Sequence, residues 1–275
     1  MDLKKDLGFV SAKTLDDVNT IITGMYKFRK MHKKTNNDDH AEIMDHLQAI
    51  DMINSMLPDL VHNNIIIKPS SRHGNGVFAT KDIPKNTIVT FYPPHAVKVS
   101  ELGHMILCID SPNIKDFDTN FDNYFREYSA YSSLSESYMF VGNPHIRSNP
   151  LLLGHIINDA GGNIFKNIPI NETKKYPVFK NLIKDYFYNG LKYHNCGLVS
   201  DNNNLVLCVQ TKKDIRAGEE LLICYEPTYW FNYTYGTNDS DGNHCITLLH
   251  KKMFDPTFDP DFIAFILNVT KCFSV

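Results

Sequence analysis

Three short segments of the chain combine residue types suited to ligand binding and chemistry. The first is Ser71–Ala79, in which Gly74 and Gly76 flank a single residue just before a β-branched run. Glycines at such a place let backbone amides approach a ligand without a Cβ in the way. A Gly-x-Gly pair alone more often marks a plain turn. No helix with a glycine-rich opening of its own follows, which excludes a dinucleotide-binding βαβ fold.

The other two segments are Gly154–Ala160, with the sequence GHIINDA, and Asp214–Tyr225, with the sequence DIRAGEELLICY, trailed by EPTYW. Taken alone, GHIINDA predicts a helix end with an exposed polar cap. Its amide and carboxyl atoms suit either a ligand's heteroatoms or local backbone groups. Taken alone, Tyr225 is an aromatic residue at a strand end, and core packing explains it most simply.

In this order, the segments resemble the motifs of SET-domain protein-lysine methyltransferases. Gly-Glu-Glu-Leu with Tyr225 four residues after the leucine is similar to the closing motif, and the Gly-x-Gly pair to the opening motif. His155–Asp159 resembles the Arg-Phe-Ile-Asn-His segment, and Asn195-Cys196 resembles the Pro-Asn-Cys that follows it. The resemblance covers about residues 64–230. It implies an α+β fold, a SET domain built as a β-clip of short twisted sheets.

The resemblance also implies a role for each matching residue, with S-adenosylmethionine (SAM) as the cofactor. Tyr225 is the expected catalytic tyrosine, with its hydroxyl beside the transferred methyl group. The expected cofactor-binding residues are His73, Gly74, Gly76, Asn158, Asp159 and Trp230. Tyr229 is expected to cover the adenine or to close the lysine channel together with Trp230.

Methyl transfer from a sulfonium to an amine is an in-line displacement that needs no covalent side-chain intermediate. Orienting a neutral lysine against the methyl carbon contributes several kcal/mol, on the order of 7 in favourable cases. An apolar, aromatic channel lowers the pKa of the lysine and so favours its neutral form. Carbonyl oxygens and a tyrosine hydroxyl accept weak C–H···O contacts from the polarised methyl.

The chain departs from the family pattern at several positions. Asp159 and Ala160 stand where histidine and serine are usual, which predicts a weaker cofactor-side network. An insertion over residues 161–193 is expected either to line the substrate groove or to form a surface excursion. Ile223 offers no hydroxyl two residues before Tyr225, which predicts a site that tolerates more than monomethylation. The zinc-binding cysteines that follow many SET domains have no counterpart, so we expect no metal.

Local patterns predict the elements that position these segments. Residues 1–63 form a helical extension with two apolar stripes, Val18–Phe28 and Ile43–Ile53. Residues 64–230 form the SET domain, with strands near Ile65, Val77, Ile88, Leu207 and Leu222. Residues 231–275 form a C-terminal extension that contains a helix with Phe262, Phe265 and Ile266 on its apolar face.

The sequence also repeats one strand–turn–strand pattern. Thr80–Asn86 and Lys212–Gly218 each precede a strand, and Asn86 and Gly218 occupy the same place in the two copies. Asparagine and glycine both tolerate the left-handed conformation that a tight turn requires. The repeat predicts either a quasi-symmetric pair of hairpins that frames one β-rich domain or two unrelated hairpins.

Composition restricts the class of protein. The formal net charge of −3 argues against a dedicated nucleic-acid binder and is compatible with a basic protein substrate. Six scattered cysteines without a CxxC pair indicate a reducing compartment. The absence of a signal peptide or an apolar run of spanning length predicts an intracellular protein, nuclear or cytoplasmic, without a membrane partner.

Two classes of function remain open. The first is a lysine methyltransferase that acts on a histone or on a non-histone protein. The second is a catalytically weak or inactive SET-like module that binds protein. Tyr225, Asn158 and the glycine pair favour the enzyme, whereas Asp159 favours the module. The sequence leaves the oligomeric state open.

Overall fold

The computed structural model describes residues 64–93, 95–99, 103–106, 121–131, 138–147, 152–200, 207–235 and 259–273. They fall into two compact units. The first holds residues up to 68, 77–156 and 198–220, and the second holds residues 69–76, 157–197 and 221 onward. The predicted helices of residues 1–63 lie outside the described residues.

The first unit is built mainly from short antiparallel sheets. Its strands are β1 (Ile65–Pro69), β2 (Asn75–Ala79), β3 (Ile88–Phe91), β4 (Ala96–Val99), β5 (Gly103–Ile106), β6 (Ser129–Tyr131), β7 (Tyr138–Val141) and β10 (Leu207–Thr211). Strands β1 and β2 pair, and β5-β4-β7-β6 form a four-stranded sheet. A third sheet has the order β3-β10-β9, where β9 is Cys196–Ser200 and enters this unit at Leu198. The unit also contains α1 (Phe121–Glu127) and a 3₁₀ turn at Gly154–Ile156.

The repeated turns of the sequence face each other in this unit. Ile83 and Ile215 exchange both backbone hydrogen bonds, at 2.8 and 2.9 Å. The Asp214 carboxylate accepts from the Lys85 amide at 2.8 Å, and Asp82 accepts from the Ala217 amide at the same distance. Asn86 and Gly218 both adopt a positive φ, 64° and 89°. The quasi-symmetric arrangement that the repeat predicts is therefore confirmed.

The second unit is mainly helical. Its elements are β8 (Asn158–Asp159), α2 (Ile170–Thr173), α3 (Tyr176–Tyr193), β11 (Leu222–Ile223), α4 (Pro227–Tyr235) and α5 (Pro260–Phe273). Asp259 caps α5, since its Oδ1 accepts from the Phe262 amide at 3.0 Å and Pro260 begins the helix. The Asp259 carboxylate also forms an ion pair with Lys180 on α3.

Aromatic side chains fill the core of this second unit. Members come from the insertion, from α4 and from α5, and they include Phe165, Phe179, Ile183, Tyr186, Phe187, Trp230, Phe231, Phe262, Ile266 and Val269. The predicted C-terminal helix is confirmed, with Phe262 and Ile266 buried on its apolar face. Much of the insertion is helix α3, and it buries Tyr186 and Phe187, so it is more than a surface excursion.

The α+β class predicted from the sequence is confirmed by these small sheets and helices. The described helices include none that is both long enough and apolar enough to cross a bilayer.

Candidate active site

The second unit brings together part of each of the three segments that the sequence singles out, namely residues 71–76, 157–160 and 221–225. The Asn158 side-chain amide donates to the carbonyl oxygens of His73 and Asn75, at 3.0 and 3.1 Å. Arg72 adds a second tie, because its Nη1 donates to the Ala160 carbonyl at 2.9 Å. These bonds hold the 70–76 turn against the backbone around β8.

The glycine turn is open. Gly74 has a φ of +49°, and a Cβ built on it would have no atom within 4 Å. His73 is exposed, and its ring meets Trp230 edge-on with centroids 5.6 Å apart. Gly76 is buried at the start of β2. The backbone of the turn at Gly74 is therefore open to solvent on one side, and the Asn158 side chain holds the turn in place through the carbonyl oxygens of His73 and Asn75.

Strand pairing places Tyr225 beside the Asn158 segment. Strands β8 and β11 run parallel, with Asn158 opposite Leu222 and Asp159 opposite Ile223. The Ala160 amide donates to the Ile223 carbonyl at 2.7 Å and closes this short ladder. Two residues beyond Ile223, the Tyr225 hydroxyl donates to the Ile157 carbonyl.

Aromatic rings surround Tyr225. Its ring meets Tyr229 edge-on at 4.7 Å and stacks on Trp230 at 6.3 Å with an interplanar angle of 16°. Tyr233 extends the group, since it stacks on Tyr229 at 6.2 Å. The result is a partly exposed aromatic wall with Tyr225 at one end.

Asp159 lies at the centre of a buried network, which we call the Asp159 cluster. Its Oδ1 accepts from the Tyr225 amide at 2.8 Å and from the Tyr186 hydroxyl at 2.9 Å. Its Oδ2 accepts from the Trp230 indole at 2.6 Å and from the Gly162 amide at 2.7 Å. Asp159 is 2% exposed, so the expectation of an exposed polar cap at GHIINDA was wrong. The local pattern could not show that β8 pairs with a distant strand.

Burial dominates the protonation of this cluster. Desolvation raises the pKa of Asp159 above its ordinary value, and the bonds from Trp230, Tyr225, Tyr186 and Gly162 oppose that rise. Desolvation, with the Asp159 charge, also raises the pKa of Tyr186 and raises that of Cys224 to about 12. Tyr186 is therefore a neutral hydroxyl and Cys224 a protonated, unreactive thiol at neutral pH.

The first unit contains a second buried polar group, which we call the histidine cluster. The Asn143 amide donates to His95 Nδ1 at 2.8 Å, and His155 Nε2 bonds the Asn143 carbonyl at 3.0 Å. The two rings meet edge-on at 5.3 Å. Among the described residues, His95 Nε2 and His155 Nδ1 find no hydrogen-bond partner. Burial lowers the pKa of His95 to about 4 and that of His155 to about 3, so both rings are neutral near pH 7.

Comparison with known proteins assigns the family. The family model described as "SET domain" matches residues 74–226. The chain belongs to the SET domain family. The match begins at Gly74 and ends one residue after Tyr225, so the recognition made from the three motifs is confirmed.

A solved structure adds a distant similarity. It is the crystal structure of a Plasmodium falciparum protein provisionally named a histone methyltransferase, with 17% identity and a TM-score of 0.32. The alignment covers 62% of this chain and 99% of that one. No curated protein matches the chain.

The site residues predicted from the sequence all lie in the second unit. Asn158, Asp159, Tyr225, Trp230 and the 73–76 turn are linked by the bonds and ring contacts given above. Their assignment to catalysis or to cofactor binding stays a prediction. Trp230 is 3% exposed and Asp159 bonds four internal donors, so neither presents much surface to a ligand in this state.

Sequence reasoning missed Tyr186. Its position within an apolar stripe of α3 indicates burial and nothing more. The one available signal was the acidic residue at position 159 itself, since a carboxylate that is buried requires donors from elsewhere in the chain.

Proposed function

We propose that the chain is a SAM-dependent methyltransferase that modifies the side-chain amine of a protein lysine. The observation that carries the proposal is the convergence of Tyr225, Asn158 and the Gly74 turn within one unit. These residues belong to three motifs that are far apart in sequence. Membership of the SET domain family, whose members are generally lysine methyltransferases, supports the same activity.

The residues present fit a SAM molecule. The open turn at Gly74 offers backbone amides where a Cβ would otherwise protrude, and Asn158 fixes that turn through His73 and Asn75. His73 adds an exposed ring beside the turn. In the proposal, His73, Gly74, Gly76 and Asn158 hold the cofactor, with Asp159 and Trp230 behind them. Bound SAM supplies an electrophilic methyl group on a sulfonium.

Tyr225 is the proposed catalytic residue. Its hydroxyl donates its proton to the Ile157 carbonyl, so the oxygen keeps acceptor capacity for the polarised hydrogens of a methyl group. The rings of Tyr229 and Trp230 restrict where the phenol can move. No acid–base side chain is required, because a lysine that enters an aromatic channel loses its proton to water.

The substrate in this proposal is a lysine of a basic protein, with histones as the first class to test and other basic proteins as the second. Ile223 is buried and carries no hydroxyl that could hold a water in the channel. We therefore propose that more than one methyl group is transferred. Accumulation of monomethyl-lysine alone under excess SAM would contradict this part of the proposal.

The deciding experiment is transfer of a labelled methyl group from SAM to core histones and to a cell lysate. Wild type is expected to label protein, and Tyr225→Phe to lose at least a hundredfold of the rate. Tyr188→Phe removes the hydroxyl of an exposed tyrosine on α3 and is the matched control. Calorimetry measures SAM binding to the same three proteins.

The calorimetry separates the enzyme from a protein-binding module without catalysis. An enzyme binds SAM in the wild type and retains that binding in Tyr225→Phe. A wild-type chain that binds no SAM would exclude the methyltransferase and favour the module.

A further inference from the structure

The insertion and the Asp159 substitution meet at a single hydroxyl. The Tyr186 hydroxyl lies on α3, within the insertion, and donates to Asp159 Oδ1 at 2.9 Å. The Tyr186 hydroxyl oxygen in turn accepts a hydrogen bond from the Glu226 backbone amide at 2.7 Å. Its only proton goes to Asp159, so the Cys224 thiol, 3.5 Å away, is the donor in their contact.

We propose that Asp159 and Tyr186 together are positioning residues that fix the catalytic tyrosine, Tyr225, from both sides along the chain. The proposal rests on the function proposed above. Asp159 accepts a hydrogen bond from the Tyr225 backbone amide. The Tyr186 hydroxyl accepts one from the backbone amide of the next residue, Glu226, and contacts the thiol of the preceding residue, Cys224. Three consecutive residues, Cys224, Tyr225 and Glu226, therefore all contact the buried pair of Asp159 and Tyr186.

The backbone after Tyr225 needs this support. Glu226 adopts a φ of 83°, a left-handed conformation that is costly for a residue with a Cβ. Such a conformation persists only where the surroundings hold it. The Tyr186 hydroxyl supplies the acceptor for the Glu226 amide and thereby stabilises the turn that leads from Tyr225 into α4.

The position of Tyr186 is itself fixed. Its ring is fully buried among the aromatic side chains of the second unit. Gly161 packs directly on that ring, because a Cβ at residue 161 would lie 2.2 Å from Tyr186 Cε2. The hydroxyl is therefore held rigidly, without the freedom of a surface residue.

The donors around Asp159 explain why an acid stands at this place. Four donors converge on its two oxygens: two backbone amides, the Trp230 indole and the Tyr186 hydroxyl. A carboxylate accepts all four, whereas a neutral imidazole accepts one at most. The substitution at 159 and the insertion that brings Tyr186 are thus two parts of one device, in which a positioning network replaces the usual histidine.

Tyr186→Phe tests the proposal, because it removes the hydroxyl and keeps the ring in the core. The matched control is Tyr235→Phe, which removes another hydroxyl from the same aromatic core, one that donates to the Ile168 carbonyl at 2.6 Å. We expect kcat for methyl transfer to fall at least tenfold in Tyr186→Phe, while the Kd for SAM changes less than twofold. Tyr235→Phe is expected to keep the wild-type kcat.

A spectroscopic readout accompanies the kinetics. Trp230 is the single tryptophan of the chain, so the protein gives one indole N–H resonance, and that group bonds Asp159. We expect this resonance to shift in Tyr186→Phe and to stay in place in Tyr235→Phe. If Tyr186→Phe does not fold, the double variant Tyr186→Phe/Glu226→Gly is measured, since glycine takes the left-handed conformation without strain.

The outcomes separate the two proposals. A wild type that transfers no methyl group overturns the proposed function, and the indole resonance then still tests the network. An active wild type with an unchanged kcat in Tyr186→Phe overturns the positioning role, even if the variant melts at a lower temperature than Tyr235→Phe. Equal losses of kcat in both variants overturn it as well, because a general loss of core packing would explain them.

Discussion

Asp159 in the second unit and His95 with His155 in the first unit are buried to nearly the same extent, with 2%, 2% and 3% of their surface exposed. Their surroundings differ. Asp159 meets four donors, whereas each histidine bonds Asn143 and leaves its other nitrogen without a partner among the described residues. The hydrogen bonds of the Asp159 cluster therefore oppose the desolvation that raises the pKa of its carboxyl, whereas burial of the histidine cluster keeps both rings neutral.

The largest effect is expected for Asp159→Asn. An asparagine turns a donor toward at least one of the four donors that now bond the carboxylate, and it removes the charge that strengthens those bonds. We predict a loss of about 4 kcal/mol in the free energy of unfolding, measured by urea denaturation. Asp185→Asn, at an exposed position on α3, is the control and should change stability by less than about 0.5 kcal/mol. A loss below about 1 kcal/mol for Asp159→Asn would show that the cluster tolerates a neutral amide.

Asp159→His restores the residue that the family usually has. Because an imidazole accepts one hydrogen bond at most, we predict a loss of about 3 kcal/mol in unfolding free energy and a lower rate of methyl transfer. Urea denaturation and label transfer on the same preparation measure both. A variant more active than wild type would show instead that the aspartate is a defect of the site.

The histidine cluster predicts a dependence of stability on pH. The folded protein keeps both rings neutral down to about pH 4, whereas the histidines of the unfolded chain take up protons near their ordinary pKa of 6.5. The unfolded state therefore binds more protons below pH 6.5, and stability is lost as the pH falls from 6.5 toward 4. The expected loss is about 2 kcal/mol for each histidine between pH 7.5 and 5.

Denaturation curves across this pH range check the prediction. In His155→Gln the pH-dependent loss should be about half that of the wild type, since one titrating group is gone. His145→Gln, at an exposed position, should retain the full loss. If the unfolding free energy fell equally with pH in the wild type, His155→Gln and His145→Gln, the pH dependence would belong to other groups.

The smallest losses of unfolding free energy are expected for alanine substitutions at Gly161, beside the Asp159 cluster, and at Gly142, beside the histidine cluster. A Cβ on Gly161 would lie 2.2 Å from the Tyr186 ring, and a Cβ on Gly142 would lie 2.6 Å from His155 Cβ. We predict a loss of about 1.5 kcal/mol in unfolding free energy for alanine at either position. Only Gly161→Ala should shift the Trp230 indole resonance, so each variant is the control for the other. A shift in Gly142→Ala would contradict the assignment of the resonance to the Asp159 cluster.

The sequence predicted the parts of the molecule that depend on local pattern and on motif order. The strands around Ile88 and Leu222, the paired turns and the helix that buries Phe262 and Ile266 are confirmed. Periodicity and turn residues report such elements because they arise from interactions within a few residues.

The buried polar network was not predictable in the same way. The bond from Tyr186 to Asp159 joins residues 27 apart, and the bond from Trp230 joins residues 71 apart. A sequence pattern shows that Tyr186 is buried, but which acceptor its hydroxyl meets depends on how α3 packs. For the same reason, Asp159 was interpreted as a weakness of the site, although its four donors make it a satisfied group.

The facing turns at Ile83 and Ile215 have a consequence for the order of folding. Their side-chain bonds join residues 129 and 135 apart, so the framework of the first unit cannot close until residues beyond Ala217 have been synthesised. Contacts of such long sequence separation form slowly, because the entropy of closing the loop is lost before the contact is gained. The nascent chain therefore exposes the edges of β2 and β3 until residues 207–220 have been synthesised, and unpaired strand edges of this kind are prone to aggregation.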